Sequence, residues 1–307
     1  MKNLQNSALK LPPTLQPGDL LVVIAPSGTL RELDKFNEGV KIWRDRGYNV
    51  QLHPQHNARE GYLAGGDRDR LDALVAAWHN PDCKGILCAR GGYGSARLLE
   101  NWAWPPEAPP KWIIGFSDIT ALLWSLAHRG ITGLHAPLLT TLADEPEWSK
   151  NRLFAAVERH DFPSLQGNGW GGKTVTGRLF PANLTVATHV LGTPFQPDLT
   201  NAILALEDVG EAPYRLDRML THWRALGIFK QVSGIALGRF SQCYAPKNIP
   251  SWTAQEVLRD RLSDLNLPIV SDLPFGHDGE NAALPVGQVV TLDGEKGILS
   301  WKVGSGQ

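Results

Sequence analysis

The sequence predicts an α/β protein of two domains, in which a parallel sheet with helices on both faces is followed by a smaller mixed β/α domain. Two observations favour this fold class. Short apolar runs alternate with segments of helical periodicity through the first half of the 307-residue chain, which is typical of βαβ units. Residues 163–176 are rich in glycine and predict a linker. We therefore expect one domain over residues 1–162 and a second over residues 177–307.

Four apolar runs in the first half predict the strands of the parallel sheet. They lie at residues 20–25, 48–52, 85–89 and 111–116. Helical spacing predicts one helix that begins near Leu33 and is closed by Gly47, and a second from Asp67 to Trp78. Ligands of such sheets bind beyond the carboxyl ends of the strands. Residues that directly follow these strands are therefore candidates for a functional site.

The second half predicts a further group of alternating elements. Strands are predicted at residues 201–209, 232–240 and 269–270, and helices at residues 215–229 and 253–265. Two short apolar runs, 289–292 and 297–301, are joined through Asp293-Gly294 and predict a closing hairpin.

Composition and charge argue against several functional classes. The net charge is −1, so we expect neither nucleic acid nor a membrane surface as a partner. The first ten residues contain no apolar segment typical of a secretory signal, and no apolar run approaches the ~20 residues of a membrane span. We therefore expect a cytoplasmic protein. The three cysteines form no CxxC pair and no HExxH motif occurs, so neither a disulfide framework, a metal site nor a cofactor is expected.

Ser117 lies at a turn between an apolar strand and an apolar helix. A serine in this position can expose its hydroxyl beside free N–H groups and the positive end of a helix dipole, as a nucleophile requires. The same position also suits a helix N-cap, and the residues alone leave both interpretations open. Asp118 likewise suits the first turn of a helix.

A glycine-rich segment, Arg90-Gly91-Gly92-Tyr93-Gly94, follows the third predicted strand. Glycines permit close approach to a ligand or present bare backbone N–H groups, which favours one side of an oxyanion hole. The segment lacks the lysine of a phosphate loop and does not match GxGxxG. An ordinary tight turn between a strand and a helix is the alternative.

The second half contains candidates for the partners of such a nucleophile. Glu207 and Asp208 end a predicted strand, where a carboxylate can orient a histidine, although solvated loop acids are the alternative. His277 lies in a glycine-flanked loop and is a better catalytic candidate than the other eight histidines. Spacing alone does not show that Ser117, Glu207 and His277 meet.

The order of these motifs resembles the LD-carboxypeptidase family of serine peptidases, which includes the murein tetrapeptide carboxypeptidases and their microcin-immunity relatives. The resemblance covers nearly the whole chain. The segments that carry it are residues 17–28, 89–94, 115–120, 206–211, 214–220 and 276–277.

The resemblance implies a Ser-His-Glu triad, with Ser117 as the nucleophile, His277 as the general base and Glu207 as the residue that orients the base. It implies that the backbone N–H groups of Gly92 and Asp118 form the oxyanion hole. It further implies an N-terminal domain of flavodoxin or glutamine-amidotransferase type, a smaller C-terminal domain, an active site between them, and a homodimer.

The reaction implied by the resemblance is hydrolysis of an amide bond between an L-configured centre and a D-amino acid. The usual substrate of the family is a cytosolic murein tetrapeptide, which loses its terminal D-alanine through an acyl-enzyme during peptidoglycan recycling. Asn183, Arg90 and Tyr93 are expected near this substrate, although Asn183 also suits a helix N-cap. The arginines that are candidates for binding the substrate carboxylate are Arg90, Arg97, Arg215 and Arg239.

The chain departs from the family pattern at two places near the expected cleft. Many members have Gly-Gly-Asn where this chain has Pro181-Ala182-Asn183, and His-Gly-Pro where it has His135-Ala136-Pro137. These departures leave the triad intact and the exact substrate open.

Two alternative functions are compatible with the sequence, and a third, suggested by the sheet type, is not. A microcin-type immunity peptidase would cleave aminoacyl- or peptidyl-sulfamoyl-adenylate amides, with Trp148 or Trp170 stacking on the adenine ring. A non-catalytic muropeptide-binding module would share the fold. A glutamine amidotransferase would need a cysteine in place of Ser117.

Overall fold

A computed structural model describes residues 9–105 and 109–301. Residues 1–8, in which no signal segment is expected, lie outside the described part. The elements of the first half are β1 (Leu20–Ile24), α1 (Leu33–Asp45), β2 (Asn49–Leu52), α2 (Asp67–His79), β3 (Cys83–Cys88), α3 (Ser95–Leu98), β4 (Trp112–Gly115), α4 (Thr120–His128), β5 (Leu134–His135), α5 (Leu139–Leu142) and α6 (Glu147–Arg159). Those of the second half are β6 (Leu165–Gln166), β7 (Asn168–Gly169), β8 (Val175–Asn183), α7 (Leu184–Val190), β9 (Ile203–Val209), α8 (Pro213–Ala225), β10 (Gly234–Ser241), α9 (Ala254–Leu262), β11 (Ile269–Ser271), β12 (Leu284–Pro285), β13 (Val289–Asp293) and β14 (Ile298–Trp301).

The first sheet contains six strands in the order β2-β1-β3-β4-β5-β12. The five strands of the N-terminal half are parallel, as expected where helices form the crossovers between strands. The sixth strand, β12, is antiparallel to β5 and comes from the C-terminal half of the chain. Strands β3 and β4 are almost entirely buried, because helices cover both faces of the sheet.

The second sheet contains eight strands in the order β6-β14-β13-β8-β9-β10-β11-β7. Strands β8 to β11 are parallel, and the other pairings are antiparallel. Its two edge strands, β6 and β7, are separated in the chain by Gly167 alone, so the sheet curls until its edges almost meet. A Cβ on Gly167 would lie 2.3 Å from the carbonyl oxygen of Ser271, so glycine is required there. The predicted linker, residues 163–176, contributes strands to this sheet.

The connection between β11 and β12, residues 272–283, runs from the second sheet to the first. At its end, Leu284 pairs with His135 in the first sheet. The chain then returns to the second sheet as β13. This crossover connection carries His277, so the position of His277 depends on both sheets.

The two halves of the chain share one large apolar core, with α4 inside it. The fully buried ring of Trp124 lies 6.3 Å from that of Phe180 and 6.5 Å from that of Trp223. Its indole N–H donates to the carbonyl oxygen of Pro181 at 3.0 Å. Helix α4, which follows Ser117, is thereby fixed against β8.

The predicted fold class is confirmed, since a parallel sheet covered by helices is followed by a second, mixed sheet. The predicted helix over residues 215–229 extends too far: α8 ends at Ala225, because Gly227 adopts a left-handed φ of 71°. Strand β8 and helix α6 were not predicted, and helix α7 was indicated only by the N-cap interpretation of Asn183. Among the described residues, no helix has both the length and the apolar character that crossing a bilayer demands.

Replacing Trp124 tests the packing between the halves. Trp124→Ala leaves a cavity and an unpaired carbonyl at Pro181, so we expect it to lower the free energy of unfolding by about 3–5 kcal/mol. Urea denaturation followed by circular dichroism measures this loss. Trp148→Ala is the matched control, because 38% of Trp148 is exposed. Equal losses in the two variants would contradict the central role of Trp124.

Candidate active site

Ser117 follows β4 after one intervening residue, Phe116, and has a left-handed backbone conformation, with φ of 63°. This conformation is unfavourable for residues other than glycine and is concentrated at functional sites. It opens a short 3₁₀ turn, Ser117–Ile119, that leads into α4. Neither the turn nor α4 is capped by a side chain from the described part of the chain. The N-cap interpretation of Ser117 is therefore wrong, and its hydroxyl is available for other contacts.

Asp118 joins the ends of three strands of the first sheet. Its buried Oδ2 accepts a hydrogen bond from the Ser27 hydroxyl at 2.6 Å and another from the backbone N–H of Ser95 at 2.8 Å. The Ser95 hydroxyl donates in turn to the Asp118 carbonyl oxygen at 2.6 Å. These bonds fix the Ser117 turn relative to the segments that follow β1 and β3.

The glycine-rich segment after β3 packs directly against Ser117. A Cβ placed on Gly91 would lie 3.1 Å from Cβ and 3.3 Å from Oγ of Ser117, so a larger residue there would crowd the hydroxyl. Gly92 has φ of 108°, a conformation readily open to glycine. The backbone N–H groups of Gly92 and Asp118 donate to no acceptor within residues 9–105 and 109–301. Both N–H groups are thus free for a ligand.

Arg70 of α2 holds the loops after β1 and β3 together. Its side chain is fully buried and donates to the carbonyl oxygens of Pro26 at 2.6 Å and of Gly94 at 2.8 Å. It also pairs with Asp67. No local sequence pattern predicts this role of Arg70, because a single arginine on an amphipathic helix carries no sign of it.

His277 and Glu207 form a short hydrogen bond. Nδ1–H of His277 donates to Oε2 of Glu207 at 2.6 Å. The Glu207 side chain is fully buried, whereas 17% of the His277 side chain is exposed. Burial by itself lowers the pKa of His277, but the charge and hydrogen bond of Glu207, together with the charges of Asp208 and Asp278, outweigh burial and raise that pKa above its usual value. The ring of Phe116, 4.5 Å from the imidazole between centroids, contacts His277.

Asn183 connects Glu207 to the helix that follows Ser117. Its Nδ2 donates to Oε1 of Glu207 at 3.3 Å and to Oδ1 of Asp208 at 3.1 Å. Its backbone N–H donates to the Thr120 hydroxyl at 3.0 Å. Its Oδ1 accepts the N–H of Val186 at 3.1 Å, which confirms the N-cap interpretation. Because Asn183 is buried and its amide is occupied by the protein, we infer support of Glu207 rather than contact with substrate.

Asp208 is a second buried carboxylate beside Glu207. It accepts hydrogen bonds from the backbone N–H of Thr185 at 2.9 Å and from the Thr185 hydroxyl at 2.8 Å. Burial and the adjacent Glu207 charge raise the pKa of Asp208 to about 6. Adjacent carboxylates can hold a metal, but the described residues contain no group of three or more His, Cys, Asp or Glu arranged to do so.

Ser117 and His277 line the same cavity, which has a volume of ≈ 220 Å³. The other residues that line it are Glu32, Arg90, Gly91, Gly92, Phe116, Leu138, Thr140 and Thr141. His277 also lines a larger cavity of ≈ 500 Å³ at the carboxyl ends of β10 and β11. Within the described residues, the imidazole bonds to Glu207 and not to Ser117. The structure thus brings the three predicted residues to one site, with the Ser117 hydroxyl unbonded.

Arg90 is the one of the four candidate arginines that lines the cavity at Ser117. Its Nε donates to Oε2 of Glu32 at 3.1 Å and its Nη1 to the carbonyl oxygen of Gly91 at 3.2 Å. The other three pair with carboxylates outside this cavity, Arg97 with Asp67, Arg215 with Glu211 and Arg239 with Asp272.

Aromatic side chains flank the site without closing it. Tyr93 is 52% exposed, and its ring lies 5.9 Å from that of Tyr62. Trp170 lines the larger cavity beside His277, with the Arg259 guanidinium 3.8 Å from its ring centroid. Trp148 lines neither of these two cavities.

The chain matches two family models. Residues 21–136 match the model described as the LD-carboxypeptidase N-terminal domain, and residues 176–292 match the LD-carboxypeptidase C-terminal domain. A putative carboxypeptidase of Synechocystis is 58% identical, with 94% of this chain and 96% of that protein covered. The murein tetrapeptide carboxypeptidase of Pseudomonas aeruginosa is 32% identical, with 94% of this chain and 97% of that protein covered.

Solved structures show the same fold. The muramoyltetrapeptide carboxypeptidase from Oxalobacter formigenes is 28% identical, with a TM-score of 0.81 over 91% of this chain and 97% of that one. The protein MccF, in complex with glutamyl sulfamoyl guanosine, has a TM-score of 0.83 at 20% identity over 96% and 98% of the two chains. The likeness to MccF supports the fold alone.

The Glu207 carboxylate is expected to control the pKa of His277. NMR titration of the imidazole should give a pKa above that of a free histidine side chain. Glu207→Gln removes the main contribution that opposes burial, while the charges of Asp208 and Asp278 remain, so the pKa of His277 should fall from its wild-type value. Glu147→Gln changes an exposed carboxylate and is the control, which should leave the pKa of His277 unchanged. An unchanged pKa of His277 would contradict this electrostatic account.

Proposed function

The chain belongs to the LD-carboxypeptidase family and is a serine-type carboxypeptidase, and on that premise we propose that it releases the terminal D-alanine from a murein tetrapeptide. The bond cleaved joins an L-configured centre to the D-amino acid. The observation that carries this proposal is the Glu207–His277 hydrogen bond at a cavity that also exposes Ser117. The relatives named as murein tetrapeptide and muramoyltetrapeptide carboxypeptidases support the substrate class.

The proposed mechanism uses Ser117, His277 and Glu207 as a catalytic triad. The Ser117 hydroxyl attacks the scissile carbonyl carbon while Nε2 of His277 takes its proton, and Glu207 stabilises the imidazolium. We expect the Ser117 hydroxyl to turn towards Nε2 once substrate fills the cavity, because catalytic hydrogen bonds often tighten only in the substrate complex. His277 then protonates the leaving amine, and water releases the peptide from the acyl-enzyme.

The free N–H groups of Gly92 and Asp118 are proposed to form the oxyanion hole. Negative charge develops on the carbonyl oxygen during attack, and fixed donors stabilise it most strongly where water is excluded. The Asp118 side chain and Arg70 support these donors from behind, because they fix the loops that carry them.

Arg90 is proposed to bind the carboxylate of the terminal D-alanine, and Tyr93 to contact substrate at the rim. A carboxylate at the end of the peptide distinguishes a carboxypeptidase substrate from an internal amide. The Arg90 guanidinium is the cation of the Ser117 cavity wall and has donors beyond those used by Glu32 and Gly91. Two further proposals, a cytoplasmic location and a homodimer, rest on the family resemblance; fractionation and light scattering measure them.

Cleavage of an aminoacyl-sulfamoyl-adenylate is the second candidate function. The observation that favours it is the position of Trp170, which lines the larger cavity beside His277. An adenine ring that stacked on the Trp170 indole would need to share the face of that indole with the Arg259 guanidinium. The test of the proposed function therefore includes such an adenylate as a second substrate.

Removing the nucleophile tests the proposed function. The wild-type protein should release D-alanine from L-Ala-D-Glu-diaminopimelate-D-Ala, and Ser117→Ala should lower kcat by about 10⁶-fold while the peptide still binds. An enzyme-coupled D-alanine assay measures the rate, and calorimetry measures binding. The exposed Ser251→Ala is the control and should keep full activity.

Three outcomes of that experiment discriminate between the candidates. D-alanine release at equal rates by wild type and Ser117→Ala would show that the triad assignment is wrong. Binding without cleavage by the wild type would favour a muropeptide-binding module. Cleavage of aminoacyl-sulfamoyl-adenosine without D-alanine release would favour the immunity-type peptidase.

Arg90→Ala should raise KM for the tetrapeptide by roughly 10–100-fold, since a hydrogen bond to a charged group contributes about 1.5–3 kcal/mol. We expect kcat to change much less, because the carboxylate is bound equally in the ground and transition states. The control is the same peptide with a C-terminal D-alanine amide, on which wild type and variant should act alike. If Arg90→Ala loses equal activity on the peptide with a free carboxylate and on the peptide amide, Arg90 supports the glycine-rich segment instead.

A further inference from the structure

Glu145 contacts the loop that carries His277 from the side of the first sheet. It lies between α5 and α6, and 5% of it is exposed. Its Oε2 accepts the backbone N–H of Asn281 at 2.8 Å and the Ser149 hydroxyl at 2.8 Å. The same Ser149 hydroxyl lies 3.0 Å from the carbonyl oxygen of Asn281. One end of the loop is therefore bound to the half of the protein that carries Ser117.

Asn281 transmits this constraint to the residue that precedes His277. Its Oδ1 accepts the backbone N–H of Gly276 at 3.3 Å. The N–H of Ala282 donates to the carbonyl oxygen of Pro274 at 2.9 Å, which closes the loop at its base. Movement of Asn281 would consequently move Gly276 and, with it, the imidazole.

Arg239 holds the opposite side of the loop to the second sheet. Its backbone N–H donates to the carbonyl oxygen of Phe275 at 2.8 Å. Its guanidinium lies among three carboxylates of the loop region, Asp272, Asp278 and Glu280. Arg239 fixes this side of the loop to the second sheet, which contains Glu207. The contact at Glu145 therefore determines the position of the loop relative to the first sheet, which Ser117 follows.

We propose that Glu145 is a positioning residue, which sets the distance and orientation of His277 relative to Ser117. It contacts neither the cavity at Ser117 nor the reacting atoms, and acts through Asn281 and Gly276. Its function here is to accept hydrogen bonds rather than to supply charge; burial raises the pKa of its carboxyl, consistent with this role. A glutamine can accept the same two bonds. The inference rests on the proposed function, in which His277 is the general base for Ser117.

The test compares Glu145→Ala with Glu145→Gln. A shift of about 1 Å in a catalytic group can lower a rate by roughly 100-fold, so Glu145→Ala should lower kcat for D-alanine release by up to that factor with little change in KM. Glu145→Gln should stay within about threefold of wild type, because its single amide oxygen can accept both hydrogen bonds that Oε2 of Glu145 accepts. Arg152 donates to the Ala283 carbonyl oxygen at 3.0 Å and keeps β12 in place, so the alanine variant is expected to fold.

Two further variants provide the controls. Glu147→Ala removes an exposed carboxylate two residues away, paired with Lys150 at 3.1 Å, and should leave kcat unchanged. Ser149→Ala removes one of the two donors to Glu145 and should lower kcat by about 2–10-fold. It keeps the inference testable if Glu145→Ala does not fold.

The NMR signal of the His277 Nδ1 proton gives a readout that needs no substrate. It should shift or broaden in Glu145→Ala and match wild type in Glu145→Gln. If wild type releases D-alanine but the alanine variant keeps both its kcat and this signal, the inference is wrong. If wild type releases no D-alanine while the signal still responds to Glu145→Ala, the proposed function fails and the positioning of His277 by Glu145 stands.

Discussion

The active site depends on the burial of one negative charge, the carboxylate of Glu207. A buried carboxylate is costly unless hydrogen bonds and a neighbouring positive charge compensate it. No lysine or arginine pairs with Glu207 among the described residues; its oxygens are bonded by His277 and Asn183. The carboxylate therefore favours a positive charge on His277, which is why the pKa of His277 is raised and why the imidazolium formed when His277 takes a proton would be stabilised. Asn183 is itself bonded to Thr120, so satisfying this one charge connects β8, β9, α4 and the crossover connection.

A second cost is located at Ser117, whose left-handed conformation is strained by about 1–3 kcal/mol. The surrounding bonds offset it. Asp118 binds Ser27 and Ser95 on one side, and Arg70 fixes the two loops behind them. Each half of the protein thus stabilises its own part of the proposed site. Ser117 and the N–H groups of Gly92 and Asp118 lie at the first sheet, and Glu207 lies in the second. His277 depends on both sheets.

Local patterns explain which parts of this arrangement the sequence predicted. The parallel strands and the turn at Ser117 follow from apolar runs and breakers a few residues apart, and the identities of Glu207 and His277 followed from motif order. The partners of Asn183 and the contact of Glu145 with Asn281 join residues that are far apart in the chain, so no local pattern contains them. Strand β12 is two residues long and has no periodicity to detect. Even the N-cap alternative at Ser117 was decided by the absence of a side-chain cap among the described residues rather than by composition.

The crossover connection also affects how the protein folds during its synthesis. Strand β5 pairs with a strand made about 150 residues later, and at a ribosomal rate of roughly 5–20 residues per second that delay is on the order of 10–30 s. Throughout this interval the edge of the nascent first sheet is unpaired, and such edges recruit strands from other molecules. Contacts of such sequence separation also form slowly. Completion of the sheet and placement of His277, the proposed general base, thus occur in a single late event, so a chain that has not yet closed its edge would also be inactive.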